Sequence, residues 1–526
     1  MKKKNLKKIS ILLTLTTLLT ACGSPAKDDN NTAKPTTNTN SSKKQEETNT
    51  SNNLDFEFTE MDAYESLTYD DVACPEPYPE PYIEPTEELS ENKFIKTSEH
   101  STSTFSADVD TASYSYIRDY INSGFRIDDI DKSSVRIEEM INYFSYNYES
   151  PDSEDIFNVT TQATKCPWNP ENDLVMIGLN TEKIDLSETP DSNLVFLLDV
   201  SGSMNSSDKL PLLMKSFSLL VNELDENDKV SIVTYAGSDE VLLNGVSGGD
   251  KETILSVLNN LEASGSTNGG DGIITAYELA QEHFIENGIN RVILATDGDL
   301  NVGLTSEEEL EELITEKKET GVFLTTLGFG NGNYRDNNLE LLADKGNGNY
   351  AYIDSINEAK KVLVNELGST FNTVAKDVKL QVEFNPDIVE EYRLIGYENR
   401  VMANEDFTDD TKDAGEIGSG HCVTALYEIK TKEQTDDIFS LKIRYKNPDE
   451  DVSKEIEHTP SSLYTTSPSK DFNFIMSVAE FGMLLKDSEY KGNSNFEDII
   501  MLAQNGGADD DTVKAEYLEL VKKASK

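Results

Sequence analysis

From Asn193 onward, apolar runs alternate with stretches of helical spacing. Residues 193–198, 291–296 and 322–327 are dominated by Val, Ile, Leu and Phe, as expected of parallel strands buried on both faces. Residues 230–235 and 350–353 predict further strands, and 240–243 a short one. Between them, residues 210–224, 254–261, 273–285, 307–318, 339–343 and 356–367 follow a helical period. The helix that Ser306 opens has Glu307 to Glu309 in its first turn and Lys317 and Lys318 near its last, which matches the helix dipole. Such alternation predicts an α/β domain over residues 191–372, a mostly parallel sheet with helices on both faces. Ligands of such sheets bind at the carboxyl ends of the strands.

The flanks have a different pattern. Residues 157–164 and 174–179 precede the α/β domain as short alternating strands. Residues 378–384, 392–397, 423–429 and 439–445 follow it in the same style. Helices are predicted at 111–122, 136–144, 474–485 and 512–523. The ends of a compact domain often lie close together. Strands of the N-terminal flank (93–190) and the C-terminal flank (373–526) are therefore expected to pair in one β-sandwich-like region with the α/β domain inserted. Separate units in series are the alternative.

The first residues read as an address. Lys2, Lys3, Lys4, Lys7 and Lys8 precede an apolar run over 9–20, too short for a comfortable membrane span but suited to a signal-peptide core. The run ends in Leu19-Thr20-Ala21-Cys22. This resembles the lipobox of bacterial lipoproteins, which implies cleavage after residue 21 and diacylation of Cys22. Residues 22–92 are then a polar, acidic and proline-rich tether, with the tandem Pro75-Glu76-Pro77-Tyr78 and Pro79-Glu80-Pro81-Tyr82. As a coil it would reach about 45 Å, enough to hold the folded part off a membrane. Of the other cysteines, Cys74 lies in the tether, so Cys166 and Cys422 are the pair if a disulfide forms.

Charge narrows the choice of partner. The 526 residues hold 46 Lys+Arg against 98 Asp+Glu, a net charge of −52. Nucleic acid is excluded as a partner, because phosphate binding needs a basic footprint. Attraction to anionic lipid is excluded on the same ground, which leaves the lipid on Cys22 as the membrane attachment.

The ends of the predicted strands carry the candidate chemistry. Asp199-Val200-Ser201-Gly202-Ser203 follows the first strand, Asp297-Gly298 follows the strand at 291–296, and a loop between them contains Ser266-Thr267 just before a helix. One carboxylate and two hydroxyls on a short turn, with a threonine and an aspartate from two other loops, make a set of hard oxygen ligands. The trio resembles the metal-ion-dependent adhesion site of von Willebrand factor type A domains. That resemblance implies direct ligation of Mg²⁺, or of Mn²⁺ or Ca²⁺, by Ser201, Ser203 and Thr267. Asp199 and Asp297 would act largely through bound water. It also implies an open coordination position that takes an Asp or Glu from a protein partner, and a shift of the helix at 356–367 when it does.

Residues 103–114 and 135–144 resemble the N-terminal region of bacterial YfbK-like lipoproteins, and 375–379, 392–400 and 413–418 resemble their C-terminal region. The expected fold is thus a Rossmann-like von Willebrand factor type A domain with a β-sandwich-like flanking region and extra helices. The expected function is Mg²⁺-dependent binding of a protein partner at a bacterial envelope, with no enzyme activity. The alternatives are a structural envelope protein whose metal holds loops together and, further off, a metal-dependent hydrolase.

Other constellations are weaker. Asp108-Val109-Asp110-Thr111 faintly resembles the nucleophile motif of haloacid-dehalogenase-type phosphatases, but 103–106 lacks the apolar strand that motif needs, so Asp110 is expected to cap a helix. Asp406, Asp409, Asp410 and Asp413 suggest a calcium loop, but Ala414 stands where an EF-hand needs glycine, and a solvated acidic loop is the simpler reading. His100, His283, His421 and His458 are scattered, and no G-x-S-x-G elbow, H-E-x-x-H helix or Walker A loop is present.

Overall fold

The computed structural model describes residues 90–107, 110–151, 155–183, 190–265, 270–298, 307–330, 336–366, 372–448, 450 and 452–526. The signal segment, the tether up to residue 89 with Cys22 and Cys74, Asp108 and Thr267 lie outside the described residues. Among those described, no helix is long and apolar enough to cross a membrane.

The N-terminal flank forms β1 (Ile95–Lys96), β2 (Thr102–Ser106), α1 (Ala112–Asn122), α2 (Ile137–Asn142), β3 (Phe157–Lys165) and β4 (Asp173–Thr181). The α/β domain runs β5 (Ser192–Asp199), α3 (Leu210–Glu223), β6 (Lys229–Tyr235), β7 (Asp239–Ser247), α4 (Lys251–Leu258), α5 (Gly270–Glu282), β8 (Ile289–Thr296), α6 (Glu307–Lys318), β9 (Phe323–Phe329), α7 (Asp336–Lys345), β10 (Tyr350–Ile353) and α8 (Ile356–Lys360). The C-terminal flank adds β11 (Thr373–Phe384), β12 (Val389–Ile395), β13 (Val401–Met402), β14 (Gly415–Gly418), β15 (Cys422–Thr431), β16 (Phe439–Lys446) and β17 (Lys454–His458). Helices Lys470–Lys486, Phe496–Asn505 and Thr512–Ala524 close the chain.

The central sheet has the order β10-β9-β8-β5-β6-β7. Its strands pair in parallel except β7, which runs antiparallel to β6 at one edge. Alternation along β5 explains the continuous apolar run. Leu194, Phe196 and Leu198 face one core with Leu213, Phe217 and Val221 of α3. Val195 and Leu197 face another with Ile273 and Tyr277 of α5 and Ile314 of α6.

Strands of both flanks share two antiparallel sheets, β1-β12-β15-β4-β3 and β13-β2-β11-β16-β17. Phe157, Val175 and Ile177 from the first meet Leu380, Val382, Leu441 and Ile443 from the second in one apolar core. A further core gathers α1, α2 and the last three helices around Trp168 and Tyr517.

The structure corrects several sequence expectations. Residues 102–106 are a strand after all, with Phe105 buried and paired with Leu380. Asp110 does not cap α1, whose N-cap is Thr111 with no side-chain cap bond. Asp110 Oδ1 instead accepts from the Tyr350 N–H at 2.9 Å, and Oδ2 lies 3.4 Å from Arg400. The segment Phe496–Asn505, not expected as a helix, is one, started by the Asn495 side chain accepting from Glu497 and Asp498 N–H groups. The helix expected over 356–367 keeps only α8 before widening into a π turn over Lys361–Asn365. Cys166 and Cys422 are both free thiols.

Buried arginines lock the inserted domain to its flanks. Arg118 of α1 donates to both oxygens of Asp354 at 2.7 and 2.5 Å, to Glu358 of α8 at 2.7 Å and to the Tyr143 hydroxyl at 2.7 Å. Arg136 pairs with Glu139 at 3.0 Å and with Glu340 of α7. Arg400 pairs with Glu340 at 2.7 Å and with Asp344. Removing one partner from such a pair strands the other charge away from water. Arg118→Ala should lower unfolding free energy by about 3–5 kcal/mol, read by urea denaturation, whereas removing an exposed pair such as Arg126–Asp128 should leave the curve essentially unchanged.

Glu138 of α2 has the opposite problem. Neither of its buried oxygens has a hydrogen-bond partner, and burial, then the charge of Glu398, pushes its carboxyl up to about 7. The folded state therefore holds a proton that the unfolded chain releases near its ordinary 4.5. The stability this confers is full below that ordinary value and is lost as pH rises through about 7. Glu138→Gln should flatten the fall in melting temperature between about pH 5 and about pH 8, and at the upper end should exceed the native protein by on the order of 3 kcal/mol.

Candidate functional site

Of two adjacent parallel strands, β5 ends in Asp199 and β8 is followed directly by Asp297. Asp199 closes β5 and is fully buried. Its Oδ1 accepts from the Ser201 N–H at 2.8 Å, and its Oδ2 accepts from the Thr296 hydroxyl of β8 at 3.0 Å. Burial raises its carboxyl above the ordinary range, with Asp297 adding to the effect, while the Ser201 and Thr296 hydrogen bonds oppose it. The turn then enters a short 3-10 helix, Gly202–Asn205, pinned by the buried Met204. The Ser201 and Ser203 hydroxyls lie 3.0 Å apart, with Ser201 buried and Ser203 exposed.

The loop before α5 packs directly on this turn. The Ser264 N–H donates to the Val200 carbonyl at 2.7 Å, and the Gly202 N–H donates to the Gly265 carbonyl at 3.1 Å. A side chain on Gly202 would put its Cβ 3.2 Å from that carbonyl oxygen, and Gly265 itself has φ +81°. Gly202 thus suits the close approach of the two backbones, and Gly265 the left-handed conformation that glycine adopts without strain. Four of the five sequence-predicted residues, Asp199, Ser201, Ser203 and Asp297, fall on the described strand ends of this one sheet edge. Thr267 lies outside the described residues.

Asp297 adds what the sequence reading missed. Its Oδ2 accepts from the Lys209 ammonium at 2.8 Å, while its buried Oδ1 has no hydrogen-bond partner. Lys209 is the N-cap of α3. A cation there opposes the helix dipole, and that misfit was the available signal that Lys209 answers a carboxylate elsewhere.

The donors suit a hard divalent cation. They are carboxylate and hydroxyl oxygens, and one buried carboxylate oxygen lacks a partner. The Asp406–Asp413 loop does not gather its carboxylates in this way. Asp410 bonds Arg444 at 2.8 Å and Ser453 at 2.6 Å, Asp409 accepts from Thr411, and Asp413 pairs with Lys318 at 3.0 Å. In a cavity of about 430 Å³ elsewhere, the lining Arg118, Lys361 and Lys514 are paired with Asp354, Glu366 and Asp471.

Known proteins decide the family. The model described as "von Willebrand factor type A domain" matches residues 193–365, and "Uncharacterized protein YfbK, C-terminal" matches 369–526. A third, "von Willebrand factor", matches 82–176. The Escherichia coli (strain K12) protein YfbK is 39% identical over 466 residues, 83% of this chain and 80% of that one. The chain belongs to the YfbK family. Its central sheet is a von Willebrand factor type A domain, a domain that commonly mediates protein interactions and often binds a divalent metal at its adhesion site.

Human inter-alpha-trypsin inhibitor heavy chain H3 is 28% identical over 164 residues, 30% of this chain but 18% of that protein. A solved structure titled "von Willebrand factor type A from Catenulispora acidiphila" aligns with 71% of this chain and 91% of its own, at 14% identity and a TM-score of 0.41.

In this YfbK-family chain, Lys209 is the counter-charge to Asp297. Lys209→Met should cost about 3 kcal/mol of stability in chelator, measured by urea denaturation.

Proposed function

We propose that this protein is a lipid-anchored envelope protein that captures a protein partner through Mg²⁺ held at the ends of β5 and β8. The observation that carries the reading is the buried, unpartnered Oδ1 of Asp297 beside the paired hydroxyls of Ser201 and Ser203. Ser201, Ser203 and, by family resemblance, Thr267 would ligate the metal, with Asp199 and Asp297 orienting its bound water. When bound, the metal supplies an electrophilic position that accepts an Asp or Glu of the partner. Asp199 keeps the turn in place through Ser201 and Thr296, so the hydroxyls are positioned before any ligand arrives. Lys209 and the scarcity of directly ligating carboxylates keep the site from being saturated with negative charge.

Envelope placement rests on the basic start, the short apolar run and Leu19-Thr20-Ala21-Cys22. We assign no catalytic step, because no histidine or further carboxylate is hydrogen-bonded to the site among the described residues. Asp297→Ala and Ser201→Ala should each weaken Mg²⁺ binding by roughly tenfold or more in calorimetry. Both should also abolish Mg²⁺-dependent crosslinking to a partner in cells while the protein still melts cooperatively. Equal capture by both variants in chelator would sink the reading. A large Mg²⁺-dependent gain in melting temperature with no metal-dependent partner would favour a purely structural metal.

A further inference from the structure

A second group of carboxylates meets where the C-terminal flank touches the α/β domain. β14 pairs with β11 through a bulge: Ala375 lies opposite Ile417 and Val378 opposite Gly415, so Lys376 and Asp377 together face Glu416. Such bulges redirect side chains at sheet edges. Asp413 enters from the loop that leads into β14. One carboxylate oxygen from each of Asp377, Asp413 and Glu416 lies within 4.8 Å of the other two.

Two of the three have cationic partners. Lys318 of α6 donates to both oxygens of Asp413 at 3.0 Å. Lys446 lies 2.7 Å from Asp377 Oδ2, and the Ala414 N–H donates to Asp377 Oδ1 at 3.2 Å. Glu416 has no such partner. It is 6% exposed, and its buried Oε1 makes no hydrogen bond. The buried Arg291 senses its charge through space but donates to Thr325 at 2.7 Å. Burial, then Asp413 and Asp377, pushes the Glu416 carboxyl well above its ordinary range. A buried acceptor is normally satisfied, and this one lies among two other carboxylates.

We propose that Asp377, Asp413 and Glu416 bind a calcium ion, at a site distinct from the Asp199–Asp297 strand ends. All three ligands are hard oxygens. Three carboxylates at one place suit Ca²⁺, which takes several protein oxygens in flexible geometry, better than Mg²⁺, which dehydrates reluctantly and is usually held by one or two carboxylates. The two lysines do not block the site, because each carboxylate oxygen has a second lone pair. Asp413, with its side chain 42% exposed, leaves a solvent side for entry and for water ligands. The ion would supply the partner that Glu416 lacks. It would also tie β14 and β11 to α6 through Asp413 and Lys318.

Calcium titration of the full chain by calorimetry tests this. Asp199→Ala serves as background, because it disables the other site. One Ca²⁺ equivalent should remain in that background. Adding Glu416→Gln should weaken it by on the order of a hundredfold or more, at or beyond the upper end for outer-shell changes, and adding Asp413→Asn should do the same. Absence of any Ca²⁺ equivalent in Asp199→Ala overturns the proposal. So does unchanged affinity in Glu416→Gln and Asp413→Asn. If Glu416→Gln loses its melting transition, the exposed Asp413→Asn decides alone. Failure of the Mg²⁺ reading would appear separately, as native Mg²⁺ affinity in Asp199→Ala with Glu416 intact.

Discussion

The antiparallel pairing of β2 with β11 joins Thr102–Ser106 to Lys379–Glu383 across the whole inserted domain. Closing a loop of that length costs about 5 kcal/mol in chain entropy before any contact is gained. The β4–β15 pairing adds a second closure, with eight residues in continuous register from Asp173 to Asn180. These closures are stable because they bury a shared core, where Phe105, Val175 and Ile177 meet Leu380, Val382 and Tyr427. Neither flank could build that core alone, since each sheet takes strands from both. The α/β domain is therefore a guest whose two connections leave a host already closed beneath it.

Strand pairing fixes the host but not the tilt of the guest, and buried charge supplies that constraint. Arg118, Arg136 and Arg400 all come from the flanks, and each has at least one carboxylate partner in the guest, among Asp354, Glu358, Glu340 and Asp344. Desolvation makes such pairs poor sources of net stability, but their geometry admits few alternatives. Asp354 follows β10, so it lies on the same carboxyl edge of the parallel sheet as Asp199 and Asp297. One edge thus carries both the candidate metal ligands and the Arg118 part of the clamp. A movement of α8 toward or away from the sheet would have to break the Arg118–Glu358 bond. This chain's last domain helix is consequently tied to α1, and its π turn over Lys361–Asn365 begins immediately after the tie.

What could be read from sequence divides along this boundary. The buried strands β5, β8 and β9 declare themselves, because a strand covered on both faces must be apolar throughout. The Asp199–Ser203 turn and Asp297 were visible for a related reason, since polar residues directly after such runs mark strand ends. β2 was not visible. Thr-Ser-Thr-Phe-Ser contains one large apolar residue, and it is a strand because β11 offers an edge from far along the chain. Asp110 was assigned to a local cap for want of Tyr350 and Arg400, which only the fold brings near. Glu416 carries no local signal, because its burial depends on the bulge at Lys376 and Asp377. Local periodicity encodes burial, but partners at long range are set by topology.

The net charge of −52 changes meaning once these partners are known. Many acidic groups are spent inside the protein: Glu340, Asp344, Asp354 and Glu358 on arginines, Glu428 on Arg393 and Trp168, and Asp297 on Lys209. These acids are thus matched by cations, whereas Glu138 and Glu416 are buried with oxygens that make no hydrogen bond, and the rest of the excess is left to the surface and the N-terminal segment. At the strand ends the balance is deliberately short. Asp199 and Asp297 carry two charges and Lys209 returns one, while Ser201 and Ser203 contribute dipoles without charge. A divalent ion added there turns a local −1 into a local +1. On a surface that is otherwise acidic, such an inversion would, on the proposed reading, single out a carboxylate-bearing partner from the many that the rest of the protein repels.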